Sequence, residues 1–195
     1  MSREVVTLAK KTKGEYSYNE AIKTLRTNVQ FCGSNLRRIL LTSAFPDEGK
    51  SDVTFALASS LAQIGKKVIL IDADIRKSVM VSRYQVETEI NGLSQYLTGQ
   101  REMEEVIYNT NFEGLSIIFA GPYSPNPSEL LEEDLFHELL DALDEKFDYI
   151  ISKAGDNILA ANAKYDITKD VVNGLNKRYK QNPEMAEKIS GKSKE

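Results

Sequence analysis

One cysteine, Cys32, and one histidine, His137, are all that the 195-residue chain holds of those two residue types. A lone cysteine excludes an internal disulfide, and one cysteine with one histidine cannot build a structural zinc site. Long apolar runs are missing too. Stretches such as 68–71 and the mostly apolar 115–120 fall far short of the roughly 20 residues that span a bilayer, so no direct membrane insertion is expected. The opening Met1-Ser2-Arg3 leads into a polar, lysine-containing segment without the apolar stretch of a secretory signal. Excess positive charge is also absent. A net charge of −4 gives no general electrostatic reason to bind nucleic acid or an anionic membrane. The expected location is the cytoplasm, peripheral to a membrane only through a partner.

What the chain does have is enough apolar content, 41%, to bury one core. Ala21, Ile22, Leu25 and Val29 recur at helical spacing and predict an amphipathic helix over 16–31. Strands are expected at 37–42, 68–72, 115–120 and 149–151, the third marked by its mostly apolar run. Between them the pattern predicts helices at 50–64, closed by Gly65, at 92–97, at 103–108 and at 127–143, the last opened by Pro127. Strands alternating with helices imply a parallel sheet covered on both faces. Three segments follow: 1–15, a flexible N-terminal segment; 16–151, the α/β domain that carries the motifs below; and 152–195, an atypical polar tail. No internal repeat or low-complexity stretch occurs.

Two motifs carry chemistry. Residues 44–51, Ala-Phe-Pro-Asp-Glu-Gly-Lys-Ser, lie between an apolar strand and a helix, the setting of a phosphate-binding loop in the looser A-x4-G-K-S form. Backbone N–H groups of such a turn converge on one spot, the helix dipole adds positive potential, and the Lys50 ammonium adds a full charge. Ala44, Asp47, Glu48, Gly49, Lys50, Ser51 and Asp52 are therefore the candidate nucleotide contacts, with Ser51 on Mg2+. The alternative is a surface turn that happens to contain a lysine.

The second motif is Asp72-Ala73-Asp74-Ile75-Arg76, at the end of the strand 68–72. Period-two spacing sends both carboxylates one way, toward the crevice where open α/β sheets bind ligands. Asp72 and Asp74 there can hold Mg2+, and one of them can accept the proton of an attacking hydroxyl, with Arg76 beside the nucleotide. The plainer alternative is that Asp72 caps a loop and Arg76 pairs with Asp74.

These strings resemble the bacterial tyrosine kinases of capsule and exopolysaccharide synthesis, the CpsD/CapB type within the MinD/ParA-like P-loop ATPases. Residues 42–51 fit the family's first Walker motif and residues 69–76 its second, which is the discriminating one. The string 20–28, Glu-Ala-Ile-Lys-Thr-Leu-Arg-Thr-Asn, resembles its E-A-Y-R-x-L-R-T-N helix; 125–131 resembles its P-N-P-S-E-L-L loop; and 147–151 matches the entry to its third Walker strand. The likeness covers about 16–151.

The resemblance implies a three-layer P-loop NTPase-like α/β sandwich with a mainly parallel sheet, truncated after the third Walker strand. It implies ATP and Mg2+ as cofactors and phosphoryl transfer to protein tyrosines, with Lys50, Asp72 and Asp74 as the catalytic set and Ser51, Asp72 and Asp74 around the metal. It further implies self-association through Glu20, Lys23 and Arg26, and a membrane adaptor of the polysaccharide co-polymerase type. From spacing alone, those three are equally an ordinary solvated helix face.

The chain departs from the family pattern at several places. Asp47 stands for the usual Gly and Asp52 for the usual Thr, each adding negative charge near a polyphosphate. Lys23 replaces an arginine and loses its bidentate fork. Ser152-Lys153-Ala154-Gly155 stands where the third Walker strand should end in an Asp, so the metal-organising Asp becomes Lys153. The terminal tyrosine cluster is absent, leaving Tyr165 and Tyr179, and the stretch 158–175 resembles the carboxyl end of Skp/OmpH-like chaperones. Two alternatives to the kinase follow: a catalytically impaired nucleotide-binding remnant or regulator, and a ParA/MinD-like ATPase switch, whose usual lysine near the loop's start is missing around Phe45.

Overall fold

Val68–Ala73 is the most deeply buried strand of the sheet, with no residue of the six above 3% exposure. A strand covered on both faces must be apolar at every position, and Val-Ile-Leu-Ile satisfies that until Asp72. The computed structural model describes residues 4–9, 16–33, 35–43 and 48–154. Their strands are β1 (Val5–Val6), β2 (Arg38–Leu41), β3 (Val68–Ala73), β4 (Tyr108–Thr110), β5 (Leu115–Ile118) and β6 (Tyr149–Ala154). The helices are α1 (Tyr16–Phe31), α2 (Lys50–Ala62), α3 (Met80–Arg83), α4 (Leu93–Leu97), α5 (Met103–Val106), α6 (Pro127–Glu132) and α7 (Asp134–Asp144).

The sheet runs in the order β1-β4-β5-β3-β6-β2, parallel throughout except for the antiparallel β4–β5 pair. The mainly parallel α/β expectation holds. Crossover helices cover both faces. On one, Ile69, Ile71 and Ala73 of β3 and Ile150 of β6 pack with Leu93 and Leu97 of α4, Leu131 of α6, and Phe136, Leu139 and Leu143 of α7. Each fully buried side chain of this kind contributes about 1.5–3 kcal/mol. On the other face α2 lies over β3 and β6, with α1 packed on α2.

Parity then decides where the polar side chains of these strands go. Side chains alternate along a strand, so with Ile69 and Ile150 on the α7 face, Leu70 and Asp72 of β3 and Ile151 and Lys153 of β6 share the α2 face.

Four details differ from the sequence expectations. The segment 1–15 contributes an edge strand, Val5–Val6, with Val6 and Leu8 both 1% exposed; two apolar residues in a polar segment suffice because β4 offers them a ladder. The helix expected at 103–108 stops at Val106, and Tyr108 enters β4, where its ring meets Phe119 edge-on at 6.0 Å. The helix expected at 127–143 is two, broken by the extended backbone of Glu133 (ψ 152°). Finally β6 runs to Ala154 rather than ending at 151, because Ser152 and Lys153 continue the pairing with β2 and β3. The tail from 155 onward, with Tyr165, Tyr179 and the stretch 158–175, lies outside the described residues.

Candidate nucleotide site

β2 ends at Leu41, and the chain re-enters the described residues at Glu48, two residues before α2. Gly49 has φ 84° and ψ 15°, a left-handed conformation that glycine adopts without the steric cost a side chain would add. Its carbonyl accepts the N–H groups of Asp52 and Val53, each at 3.0 Å, which starts α2 directly at Lys50. The Thr54 hydroxyl donates to the Lys50 carbonyl at 2.6 Å. Lys50 is half-buried and Ser51 buried at the head of this 13-residue helix, where the dipole favours anions. Ala44 and Asp47 lie outside the described residues, and Glu48 is exposed.

The acidic motif sits close to this turn. Leu41, Lys153 and Asp72 are register partners across β2, β6 and β3, so the strand that feeds the turn and the strand that bears the acids end at the same level. Two further contacts bind α2 to the segment 83–84 that follows the acidic motif. Asp52 in the first turn of α2 pairs with Arg83 of α3 at 3.2 Å, and Phe55 of α2 packs on Tyr84 with ring centroids 4.5 Å apart. The negative charge that Asp52 was expected to bring to a polyphosphate is thereby countered by a guanidinium.

Asp72 is wholly buried, and both of its carboxylate oxygens are engaged. Oδ1 accepts the Lys153 ammonium at 3.1 Å and the Asp74 N–H at 3.2 Å; Oδ2 accepts the Ser78 hydroxyl. Lys153, its side chain 2% exposed, also reaches Asp74 Oδ2 at 3.3 Å, while Asp74 Oδ1 accepts the Lys77 N–H at 3.1 Å. Burial pushes the Asp72 carboxyl above the usual carboxylate range, against the pull of Lys153, the Ser78 hydroxyl and the Asp74 amide. Arg76 is exposed in the turn that follows β3. Both expected acids thus meet at one place, yet they meet around a lysine.

The residues present fit a nucleotide's phosphates: a positive-φ glycine, a helix N-terminus and a lysine are brought to one mouth. They do not fit Mg2+ at the acid pair. That ion demands oxygen ligands in near-octahedral order, and each of the acids' four oxygens already accepts a buried ammonium, a hydroxyl or an amide. Among the described residues no three histidine, cysteine or carboxylate side chains gather to offer another seat.

Of the three residues expected to mediate self-association, Glu20 and Lys23 pair on the exposed face of α1 at 2.8 Å. Arg26 turns inward instead: its Nη1 donates to the Ser60 carbonyl at 3.1 Å and the Ser60 hydroxyl at 3.0 Å, fastening α1 to α2.

With this geometry in place, known proteins give a consistent likeness. The AAA domain family matches residues 47–163. The tyrosine-protein kinase CpsD of Streptococcus agalactiae is 40% identical over 143 residues, 73% of this chain and 60% of that protein. The kinase domain of the Escherichia coli tyrosine kinase ETK superposes with a TM-score of 0.66 at 30% identity, covering 76% of this chain and 67% of that one.

The chain belongs to the bacterial tyrosine-kinase family of P-loop ATPases.

A second kinase domain, that of BceF, superposes with a TM-score of 0.63 at 39% identity over 69% of this chain and 54% of that one. The chain spans about three fifths of the length of the curated CpsD relatives it matches. Within this family member, the sequence patterns located the turn and the acid pair but missed Ser78 and Arg83. They flagged Lys153 as a departure without its partners. A lysine in register with the inward positions of a core strand was the available signal, since a buried ammonium requires acids.

Proposed function

We propose that this chain is a nucleotide-binding domain of the bacterial tyrosine-kinase type, taking ATP at the Lys50 turn and serving phosphoryl transfer to protein tyrosines in capsule or exopolysaccharide synthesis. The observation that carries the reading is the shared level of Leu41, Lys153 and Asp72, which ends the strand leading toward the lysine-bearing turn beside the strand that bears the acids. Gly49, Lys50 and Ser51 would hold the phosphates, and ATP would supply the transferable phosphoryl group. The Lys50 ammonium neutralises charge at the head of α2, and the α2 dipole orients an anion there. Asp72 is the acceptor for the hydroxyl proton of an incoming tyrosine, a role that requires Oδ2 to exchange its Ser78 partner for the substrate hydroxyl.

The resemblance to tyrosine kinases also supports self-association involving Glu20 and Lys23, and a membrane adaptor of polysaccharide co-polymerase type that would hold the chain at the inner face of the membrane. No helix of the described residues is long and apolar enough to cross a bilayer.

A second reading, nucleotide binding without transfer, is favoured by one observation: Lys153 engages both acids that transfer would use. Incubating the purified chain with ATP, then blotting for phosphotyrosine beside a Lys50→Met variant, separates the two. Phosphotyrosine that vanishes in the variant supports the kinase. Nucleotide binding with no phosphotyrosine selects the second reading, and partner-stimulated hydrolysis alone would select a positional ATPase.

A further inference from the structure

Lys153 is the largest buried charge that phosphate binding at Lys50 leaves unused. An ammonium taken out of water is tolerated only where counter-charges surround it, and here Asp72 Oδ1 and Asp74 Oδ2 do so at 3.1 and 3.3 Å. Its position is set by the sheet rather than by a flexible loop. Lys153 lies on β6, between the strand that feeds the phosphate turn and the strand that bears the acids, on the face that α2 covers. The pair Asp72 and Asp74 carries two negative charges against this single ammonium, while Asp52, the neighbouring acid of α2, is countered by Arg83.

We infer that Lys153 is a resident cation of the nucleotide site: it stands in for a divalent metal at the acid pair, so that the polyphosphate is bound without Mg2+. The inference rests on nucleotide binding at the Lys50 turn and adds the identity of the counter-ion. Two features support it. A metal ion would have to strip Asp72 of its bonds from Lys153, the Asp74 amide and Ser78, then place a dication beside an ammonium that has no route to solvent at 2% exposure. Lysine also needs no exchange with solvent ions, so the positive charge is present in every copy of the folded chain whatever the metal supply.

The test measures ADP and ATP affinity of the full chain by calorimetry, once with excess Mg2+ and once with EDTA, and follows Mn2+ by its electron-spin resonance signal. For the wild-type chain the two Kd values should agree within about twofold, and Mn2+ should stay in solution with nucleotide present. Lys153→Asp should reverse this, with nucleotide affinity at least about tenfold weaker in EDTA than in Mg2+, and Mn2+ immobilised on adding ADP. Lys153→Met, which removes the charge at similar volume, should shift the same way if the aspartate variant does not fold. Wild-type affinity rising about tenfold or more with Mg2+, accompanied by nucleotide-dependent Mn2+ uptake, overturns the inference while leaving the nucleotide reading intact. Failure to bind nucleotide under either condition overturns the nucleotide reading and this inference with it.

Discussion

Asp72 and Lys153 face each other across adjacent parallel strands, with 3.1 Å between carboxylate and ammonium and neither side chain more than 2% exposed. Removing one partner of such a pair leaves the other charged, buried and uncompensated. Lys153→Met should therefore lower unfolding free energy by about 3–5 kcal/mol in urea titration. The double variant Lys153→Met with Asp72→Asn should recover part of that loss. Equal or additive losses would show that the two charges do not sense each other.

The proposed work of Lys50 is to hold the phosphates of a nucleotide. Lys50→Met should weaken ADP binding by about 10- to 100-fold, the worth of one charge-assisted hydrogen bond. A calorimetric Kd within about twofold of wild type would remove Lys50 from the site.

Arg26 and Lys23 are three residues apart on α1, and the structure assigns them different work. Arg26 fastens α1 to Ser60 of α2, so Arg26→Ala should cost about 1–3 kcal/mol. Lys23 pairs with Glu20 in solvent, so Lys23→Ala should cost at most about 0.5 kcal/mol. Chemical denaturation separates the two, and sedimentation of both variants tests whether either contact also serves self-association.

Tyr84 is 1% exposed, and its hydroxyl has no hydrogen-bond partner among the described residues. Tyr84→Phe removes an unsatisfied polar atom without opening a large cavity, so stability should hold or rise by about 1 kcal/mol. Burial, reinforced by Asp52, pushes the phenol well above its ordinary value near 10.0. The unfolded chain then releases this proton first, so the folded state binds more protons and loses stability as pH climbs above about 10. Ultraviolet difference titration should show one tyrosine that ionises only with unfolding, and the phenylalanine variant should lack it.

Much of this architecture could be read before folding. Helix α1 spans the predicted 16–31, since a 3.6-residue apolar period over four turns has no other economical explanation. The buried strand β3 announced itself by the apolar run 68–71 and β5 by a mostly apolar one, and the phosphate turn by a glycine and lysine between a strand and a helix. The short strands β1 and β4 did not, because two or three residues carry no measurable period and owe their form to a neighbour's open ladder.

Local order along the chain thus determined which residues form the layers, where the lysine-bearing turn falls, and which two acids end the central strand. Only the tertiary structure decided what those acids hold. Strand order puts β6 between β2 and β3, register sets Lys153 opposite Asp72, and parity turns both toward α2. Each of these is a relation between segments far apart in the chain, fixed by backbone pairing and the burial of apolar faces, and no local pattern encodes it.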